Sequence, residues 1–174
     1  MGPTESNLAE SDEVLRIETN LDDVSPEVIG FVSERLFAAG ALDVWHTPIQ
    51  MKKHRPGTIL TVLCAPSAES TIAAIILTET TAFGLRIETV RRKTLSRKII
   101  HVPTIFGEIA VKLGFLHARL VQTSPEYESC KQAALRCNVP LRSIQDAARA
   151  AALAHPGASI ADMNAHTNLP TTEP

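Results

Sequence analysis

The sequence predicts an α+β fold made of two successive regions. Over residues 13–96, patterns typical of strands and helices follow one another in the order strand, helix, strand, strand, helix, strand. Over residues 97–154, a predicted β-hairpin precedes two further helices. Apolar residues make up 44% of the 174 residues, so one ordinary domain, or a small domain with an extension, can bury a mostly aliphatic core.

The first strand and the first helix are predicted from alternation and from a capping sequence. Residues 14–19 have the pattern of a short strand with alternating faces, in which Leu15 and Ile17 alternate with Arg16 and Glu18. Ser25-Pro26-Glu27 then supplies a hydroxyl cap, a proline at the first helical position and an acid in the first turn. Apolar residues recur on one face of this helix until Gly40 ends it.

The next four elements complete a split βαβ unit. Residues 41–49 and 58–64 are predicted strands, joined by a basic loop that a Pro-Gly turn closes. Residues 67–80 carry apolar side chains at helical spacing, and residues 84–93 form the fourth predicted strand. The order βαββαβ is that of the ferredoxin-like fold.

The second region is predicted to be a smaller lobe. Residues 97–102 and 109–113 form the hairpin, and Ser124-Pro125-Glu126 repeats the earlier capping pattern, which predicts the start of a third helix. Residues 138–140 end that helix, and residues 144–154 form the fourth.

Both ends of the chain are predicted to lack fixed structure. Residues 1–12 are predicted to be flexible and residues 155–174 to be a disordered tail, because Pro, Thr, Asn, His and Ala follow one another there with little periodicity. No apolar run approaches the ~20 residues that cross a membrane, and the N-terminus does not resemble a signal peptide. The three cysteines form no CxxC, and Cys130 and Cys137 favour buried thiols over a bridge, so a reducing cytoplasm is expected.

Charge is segregated along the chain although the net charge is only −2. Residues 1–51 contain ten acids and two arginines, whereas residues 52–98 contain nine basic residues and three glutamates. The acidic part is most concentrated at Asp22-Asp23, after the first predicted strand. The basic part is most concentrated at Lys52-Lys53-His54-Arg55, between the second and third predicted strands.

The predicted topology brings these charged segments together. In a βαββαβ unit three points lie at the same edge of the sheet. They are the end of the first strand, the connection between the second and third strands, and the start of the fourth strand. The loops 22–23 and 52–55 and the segment 83–86 should therefore converge, with the start of the first helix pointing to the same place. Cations, amide donors and carboxylates together suit a triphosphate with a divalent ion.

Each segment also has an ordinary structural explanation. The two aspartates could serve only to solvate a loop before a helix, the basic loop could serve only to protect a strand edge, and the arginines could be surface residues. The chain lacks GxxxxGK[ST], GxGxxG, HxxH and HExxH, which argues against a P-loop, a dinucleotide fold or a histidine metal site.

Four segments resemble the C-terminal domain of the nickel insertion proteins of the LarC family. They occur in the family's order over residues 14–153, as Glu18-Thr19-Asn20-Leu21-Asp22-Asp23-Val24-Ser25-Pro26-Glu27, the run from Ala39 to Gly57, Thr80-Thr81-Ala82-Phe83-Gly84-Leu85-Arg86, and Pro125-Glu126-Tyr127-Glu128-Ser129-Cys130. The resemblance implies a cyclometallase that inserts nickel into pyridinium-3,5-bisthiocarboxylic acid mononucleotide, the nickel-free pincer precursor. It also implies hydrolysis of CTP to CMP and pyrophosphate with manganese or magnesium, with metal-CTP bound by this domain.

The chain departs from the family pattern in two places. The large N-terminal domain of the family is absent, so it is expected as a partner in the same or a separate chain. In the segment that the family writes Lys-Pro-Glu-Tyr-Glu-Asp-Cys, Ser124 and Ser129 replace the lysine and the aspartate, which weakens any phosphate or metal role for these two positions.

The converging loops and the resemblance lead to one hypothesis for the site. Asp22 and Asp23 are predicted to hold the divalent ion, directly or through water. The predicted phosphate-binding cations are Lys52, Lys53, Arg55 and Arg86, with Arg91 and Lys112 as additional candidates. The sequence assigns neither the nickel ligands nor a nucleophile, and a nickel or zinc site formed by this chain alone is not expected.

Two other classes of function stay open at this stage. A non-catalytic ligand-binding or regulatory module is equally compatible with the fold, since ferredoxin-like units often assemble around small effectors. Nucleic-acid binding through the basic segment is disfavoured by the expected absence of exposed aromatic side chains beside the basic residues. A homo-oligomer is expected, because Trp45 and an apolar sheet face would need covering.

Overall fold

The computed structural model describes residues 10–155, which divide into a first unit, Ser11–Lys93, and a second unit that begins at Thr94. The predicted flexible N-terminus and disordered tail therefore lie largely outside the described residues. The first strand begins at Glu10, three residues before the predicted start of the first domain.

The first unit has the predicted βαββαβ order, which confirms the ferredoxin-like arrangement. Its sheet has the strand order β2-β3-β1-β4, and β3 runs antiparallel to both β1 and β2. Its elements are β1 (Glu10–Leu21), α1 (Pro26–Ala38), β2 (Asp43–Gln50), β3 (Pro56–Cys64), α2 (Glu69–Glu79) and β4 (Arg86–Thr94).

Helix α1 begins and ends where the sequence predicts. The Ser25 hydroxyl accepts a hydrogen bond from the Val28 amide at 3.3 Å, and Pro26 occupies the first turn. Gly40, with a φ of 93°, follows the end of the helix in a conformation that glycine adopts readily. The helices pack on one face of the sheet, where the core contains the fully buried side chains of Ile17, Val32, Leu36, Val62, Ile72 and Ile76.

The other face of this sheet is charged along β1 and β4, whereas β2 and β3 present apolar side chains on it, such as that of Trp45, so the expected apolar face is limited to these two strands. Arg16 on β1 donates to Glu88 on β4 at 2.6 Å. Further along the same two strands, Arg92 holds Asp12 through two nitrogens, with the shortest contact at 2.7 Å. Trp45, on edge strand β2, is partly exposed.

The second unit contains a three-stranded sheet rather than a hairpin alone. Its elements are β5 (Ser96–Thr104), β6 (Gly107–Leu116), β7 (Arg119–Pro125), α3 (Tyr127–Cys137) and α4 (Leu141–Leu153), with β6 in the centre of the sheet. Its core contains the buried side chains of Val102, Ile109, Val111, Leu113, Phe115 and Ile144.

The predicted cap of the third helix is wrong. Ser124 and Pro125 belong to β7, where they pair with Lys112 and Val111 of β6. The N-cap of α3 is Glu126, and no side chain supplies a capping hydrogen bond. The helix ends as predicted, at Asn138 in the left-handed conformation.

The expectation of buried, unbridged cysteines holds for Cys130 but only in part for Cys137, which is half-buried. Cys64, Cys130 and Cys137 are free, and burial raises the pKa of the Cys64 and Cys130 thiols above the ordinary value. Among residues 10–155, no helix is both long and apolar enough to cross a membrane.

Candidate functional site

Three segments of the first unit converge at one edge of its sheet, as the topology predicts. The last residue of β1, Leu21, pairs with Thr58, near the start of β3, and the end of β2 pairs with Pro56. Arg86, the first residue of β4, donates to the Asn20 side-chain oxygen at 2.6 Å. We call residues 20–23, 52–55 and 80–86 the charged edge.

The two aspartates join the segments of the charged edge. The Asp22 carboxylate accepts a hydrogen bond from Arg55 at 3.3 Å, which links the end of β1 to the β2–β3 loop. The Asp23 carboxylate accepts from the Thr81 hydroxyl and so links β1 to the loop before β4. Both carboxylates therefore lie at the junction of the segments, directly before the α1 cap.

The cations of the charged edge differ in how far they are neutralised. Arg55 has Asp22 as its counter-ion, and Arg86 lies 3.8 Å from a Glu18 carboxylate oxygen. Lys52 and Lys53 are exposed, and their side chains have no hydrogen bond or ion pair within residues 10–155. The two lysines thus carry the uncompensated positive charge of this edge.

The β2–β3 loop differs from the predicted Pro-Gly turn. Pro56 and Gly57 are the first residues of β3, and the chain reverses through a 3₁₀ turn over Lys52–His54. The Met51 amide donates to the Arg55 carbonyl at 2.8 Å and closes this turn. Lys53 and His54 have φ values of 59° and 56°, a left-handed conformation that costs a non-glycine residue roughly 1–2 kcal/mol.

We predict that Lys53→Gly and His54→Gly each stabilise the protein by about 0.5–1 kcal/mol, because glycine relieves the left-handed strain. The free energy of unfolding in urea, followed by Trp45 fluorescence, measures this effect in the first unit. Unchanged or lower stability in both variants would contradict the strain at these two positions.

Gly57 is needed because β3 passes very close to the end of β1 at this position, which the sequence did not reveal. A Cβ atom at this position would lie 2.9 Å from the Leu21 carbonyl oxygen and 2.7 Å from the Met51 sulfur. The backbone oxygen cannot move without shifting the end of β1. Gly57 therefore allows β3 to pass close to the residues that precede Asp22.

The two additional candidates are not among the residues of the charged edge. Arg91 lies five residues beyond Arg86 on β4, about 17 Å along the strand, and the alternation of side chains places it on the opposite face. Lys112 belongs to the second unit, where it forms an ion pair with Glu126 at 2.9 Å. In the same unit the Ser129 hydroxyl accepts from the Ala110 amide at 3.0 Å.

The charged edge carries an exposed aromatic side chain that was not expected from the sequence. Phe83 has an exposed fraction of 106% and lies in the loop between α2 and β4. The expected absence of exposed aromatic residues beside the basic segment is therefore wrong. No signal in the sequence could have revealed this exposure, since an apolar residue in a loop is as compatible with burial.

The donor set at the charged edge suits a divalent ion that shares its ligands with phosphate. Within residues 10–155, no group of three or more His, Cys, Asp or Glu side chains could hold a metal by itself. Asp22 and Asp23 offer two hard carboxylate groups, and magnesium is usually bound through one or two carboxylates and the phosphates of a substrate.

Comparison with known proteins identifies relatives over most of the chain. The sequence model of a family described as "Nickel insertion protein" matches residues 3–145. A pyridinium-3,5-bisthiocarboxylic acid mononucleotide nickel insertion protein from Acetivibrio thermocellus is 47% identical over 142 residues, which cover 82% of this chain and 35% of the relative. A protein of the same description from Thermotoga petrophila is 40% identical, with 79% and 34% covered. The chain spans about a third of these curated relatives.

Two solved structures resemble the chain. One is described as LarC2, the C-terminal domain of a cyclometallase involved in the synthesis of the NPN cofactor of lactate racemase, in its apo form. It is 41% identical, has a TM-score of 0.77, and the match covers 82% of this chain and 98% of that domain. The other, protein MK0293 from Methanopyrus kandleri, is 22% identical with a TM-score of 0.57 and coverages of 80% and 88%, and it bears on the fold alone.

Proposed function

Because the chain belongs to the nickel insertion protein family, we propose that its first unit binds CTP with a manganese or magnesium ion. In this proposal the chain acts as the C-terminal part of a CTP-dependent cyclometallase, a lyase that completes the nickel-pincer nucleotide cofactor. Nickel is the cargo of that reaction, and its ligands are assigned to the N-terminal domain of the family. The single observation that carries the proposal is the convergence of carboxylates and cations at the charged edge.

The charges of the edge match a metal-nucleotide complex. Lys52 and Lys53 bring positive charge that no described residue neutralises, and Arg55 and Arg86 add planar donors suited to phosphate oxygens. Helix α1 begins at Pro26, three residues after Asp23, and its first turn adds a partial positive charge.

Each side chain has one part in binding under this proposal. Lys52, Lys53, Arg55 and Arg86 neutralise the phosphates and the leaving pyrophosphate, which is where a phosphate-cleaving site gains most of its rate. Asp22 and Asp23 would hold the divalent ion, which when bound supplies further charge neutralisation at the phosphate oxygens. No described side chain is assigned as the nucleophile of CTP hydrolysis.

The remaining partners follow from the family. The nickel-free pincer nucleotide would be bound together with the N-terminal domain, whether that domain lies in the same or a separate chain. A homo-oligomer and a cytoplasmic location belong to the same proposal.

Titration calorimetry with manganese tests this function directly. We expect CTP to bind and ATP, GTP and UTP to bind more weakly. Lys52→Ala with Lys53→Ala should weaken CTP binding at least tenfold, since two uncompensated charges are removed. Arg91→Ala, an exposed cation on the opposite face of β4, is the matched control and should change nothing.

The same titrations can contradict the proposal. If the native chain binds no nucleotide, the proposed function is wrong for this chain. If CTP binds but is not hydrolysed when the N-terminal domain and the nickel-free precursor are supplied, the domain is a non-catalytic regulatory module.

A further inference from the structure

Phe83 is the most exposed large apolar side chain among residues 10–155. Burying a phenylalanine side chain is worth about 1.5–3 kcal/mol, and the described fold leaves this gain unused. Single exposed apolar residues are common on protein surfaces, so exposure alone has no functional meaning. Any function of Phe83 therefore depends on its surroundings at the charged edge.

The loop that carries Phe83 is fixed on both sides. Before it, the Thr81 hydroxyl donates to Asp23, and the Ala82 amide donates to the Thr80 hydroxyl at 3.1 Å. After it, the Gly84 carbonyl accepts from the Thr19 hydroxyl at 2.9 Å. Thr19 itself is buried in the sheet. The backbone that carries the ring is therefore held beside the end of β1 and is not a free loop.

Phe83 lies at the border of the cation cluster. It precedes Arg86 by three residues, which at full extension span about 11 Å. On its other side, Thr81 is bonded to one of the two predicted metal ligands. A nucleoside triphosphate has the same two parts, a charged chain of phosphates and a flat base with apolar faces.

We propose that Phe83 stacks on the base of the nucleotide whose phosphates are bound by the charged edge. The inference rests on the proposed function, since it requires a nucleotide at this site. Every base has a π-face, so stacking strengthens the binding of all nucleotides without distinguishing between them. Phe83 therefore contributes affinity, and the choice of CTP depends on other groups.

A comparison of three ligands on the full 174-residue chain tests this role. With manganese present, Phe83→Ala should weaken the binding of CTP and UTP by similar factors, between about 5-fold and 150-fold, as the loss of one base–aromatic stack does. Inorganic tripolyphosphate has no base, and its affinity should not change. By contrast, Lys52→Ala with Lys53→Ala should weaken the binding of all three ligands.

Further variants separate stacking from other effects of the side chain. Phe83→Tyr keeps an aromatic face and should bind CTP as the native chain does. Phe83→Leu keeps apolar area without that face and should lose most of the affinity. Phe37→Ala removes a half-exposed phenylalanine at the far end of α1 and should have no effect.

Each other result would overturn the proposal in a recognisable way. Unchanged CTP affinity in Phe83→Ala would refute it, and so would equal losses for CTP and tripolyphosphate, which indicate a structural role for the loop. A lower mass in light scattering with unchanged CTP binding would place Phe83 in a contact between copies. If the native chain binds neither CTP nor tripolyphosphate, the proposed function itself fails.

Discussion

Under the proposed function, replacing Asp22 and Asp23 together by alanine should remove the manganese dependence of CTP binding and lower the affinity at least tenfold. The reason is that these are the two carboxylate groups at the point where β1, the β2–β3 loop and the loop before β4 meet. Titration calorimetry of the double variant with manganese should give the affinity that the native chain has in EDTA. The fold should persist, because an exposed ion pair such as Asp22–Arg55 is worth only about 0–1 kcal/mol.

A double variant with the same change in net charge provides the control. Glu128→Ala with Asp146→Ala removes two exposed carboxylates from helices of the second unit and should leave CTP binding unchanged. Circular dichroism confirms that all variants are folded. If the Asp22, Asp23 variant binds metal-CTP with native affinity, these residues are not the metal ligands.

The largest expected effect on stability is that of Phe115→Ala. Phe115 is almost completely buried in the core of the second unit, and truncating such a side chain costs about 3–5 kcal/mol. Amide hydrogen exchange of β5 and β6 measures the loss locally, which avoids the assumption that both units unfold together.

Leu135→Ala is the matched control for this prediction. Leu135 lies on α3 of the same unit and is 75% exposed, so its removal should change stability by no more than about 0.5 kcal/mol. Similar losses in the two variants would contradict the description of Phe115 as a core residue.

The first unit could be predicted from its sequence because each local signal agrees with the tertiary structure. Ser25 caps α1, Gly40 follows its end, and the alternation over residues 15–18 matches the buried and charged faces of β1. The charged edge follows from this order of elements, since the topology decides which strand ends lie together.

The second unit shows where local sequence fails. Ser124-Pro125-Glu126 has the same residues as the α1 cap, yet Ser124 and Pro125 pair with β6 as part of a strand. Pairing partners more than ten residues away in the chain decide this structure, and a short pattern contains no information about them.

For a related reason, two features of the site could not be predicted from the sequence. Pro56-Gly57 is a frequent turn sequence, but here Gly57 lets β3 pass close to the Leu21 carbonyl. Phe83 is apolar and was not expected at the surface, since exposure depends on what the rest of the fold leaves uncovered. Both features arise from distances between segments.

The ion pair between Asp22 and Arg55 has a thermodynamic consequence under the proposed function. Each of these groups neutralises the other, so a metal ion that attracts Asp22 releases the Arg55 charge for a phosphate, and a phosphate that attracts Arg55 releases Asp22 for the metal. The two ligands then bind with positive cooperativity. By reciprocity, CTP must raise the affinity for manganese by the same factor by which manganese raises the affinity for CTP.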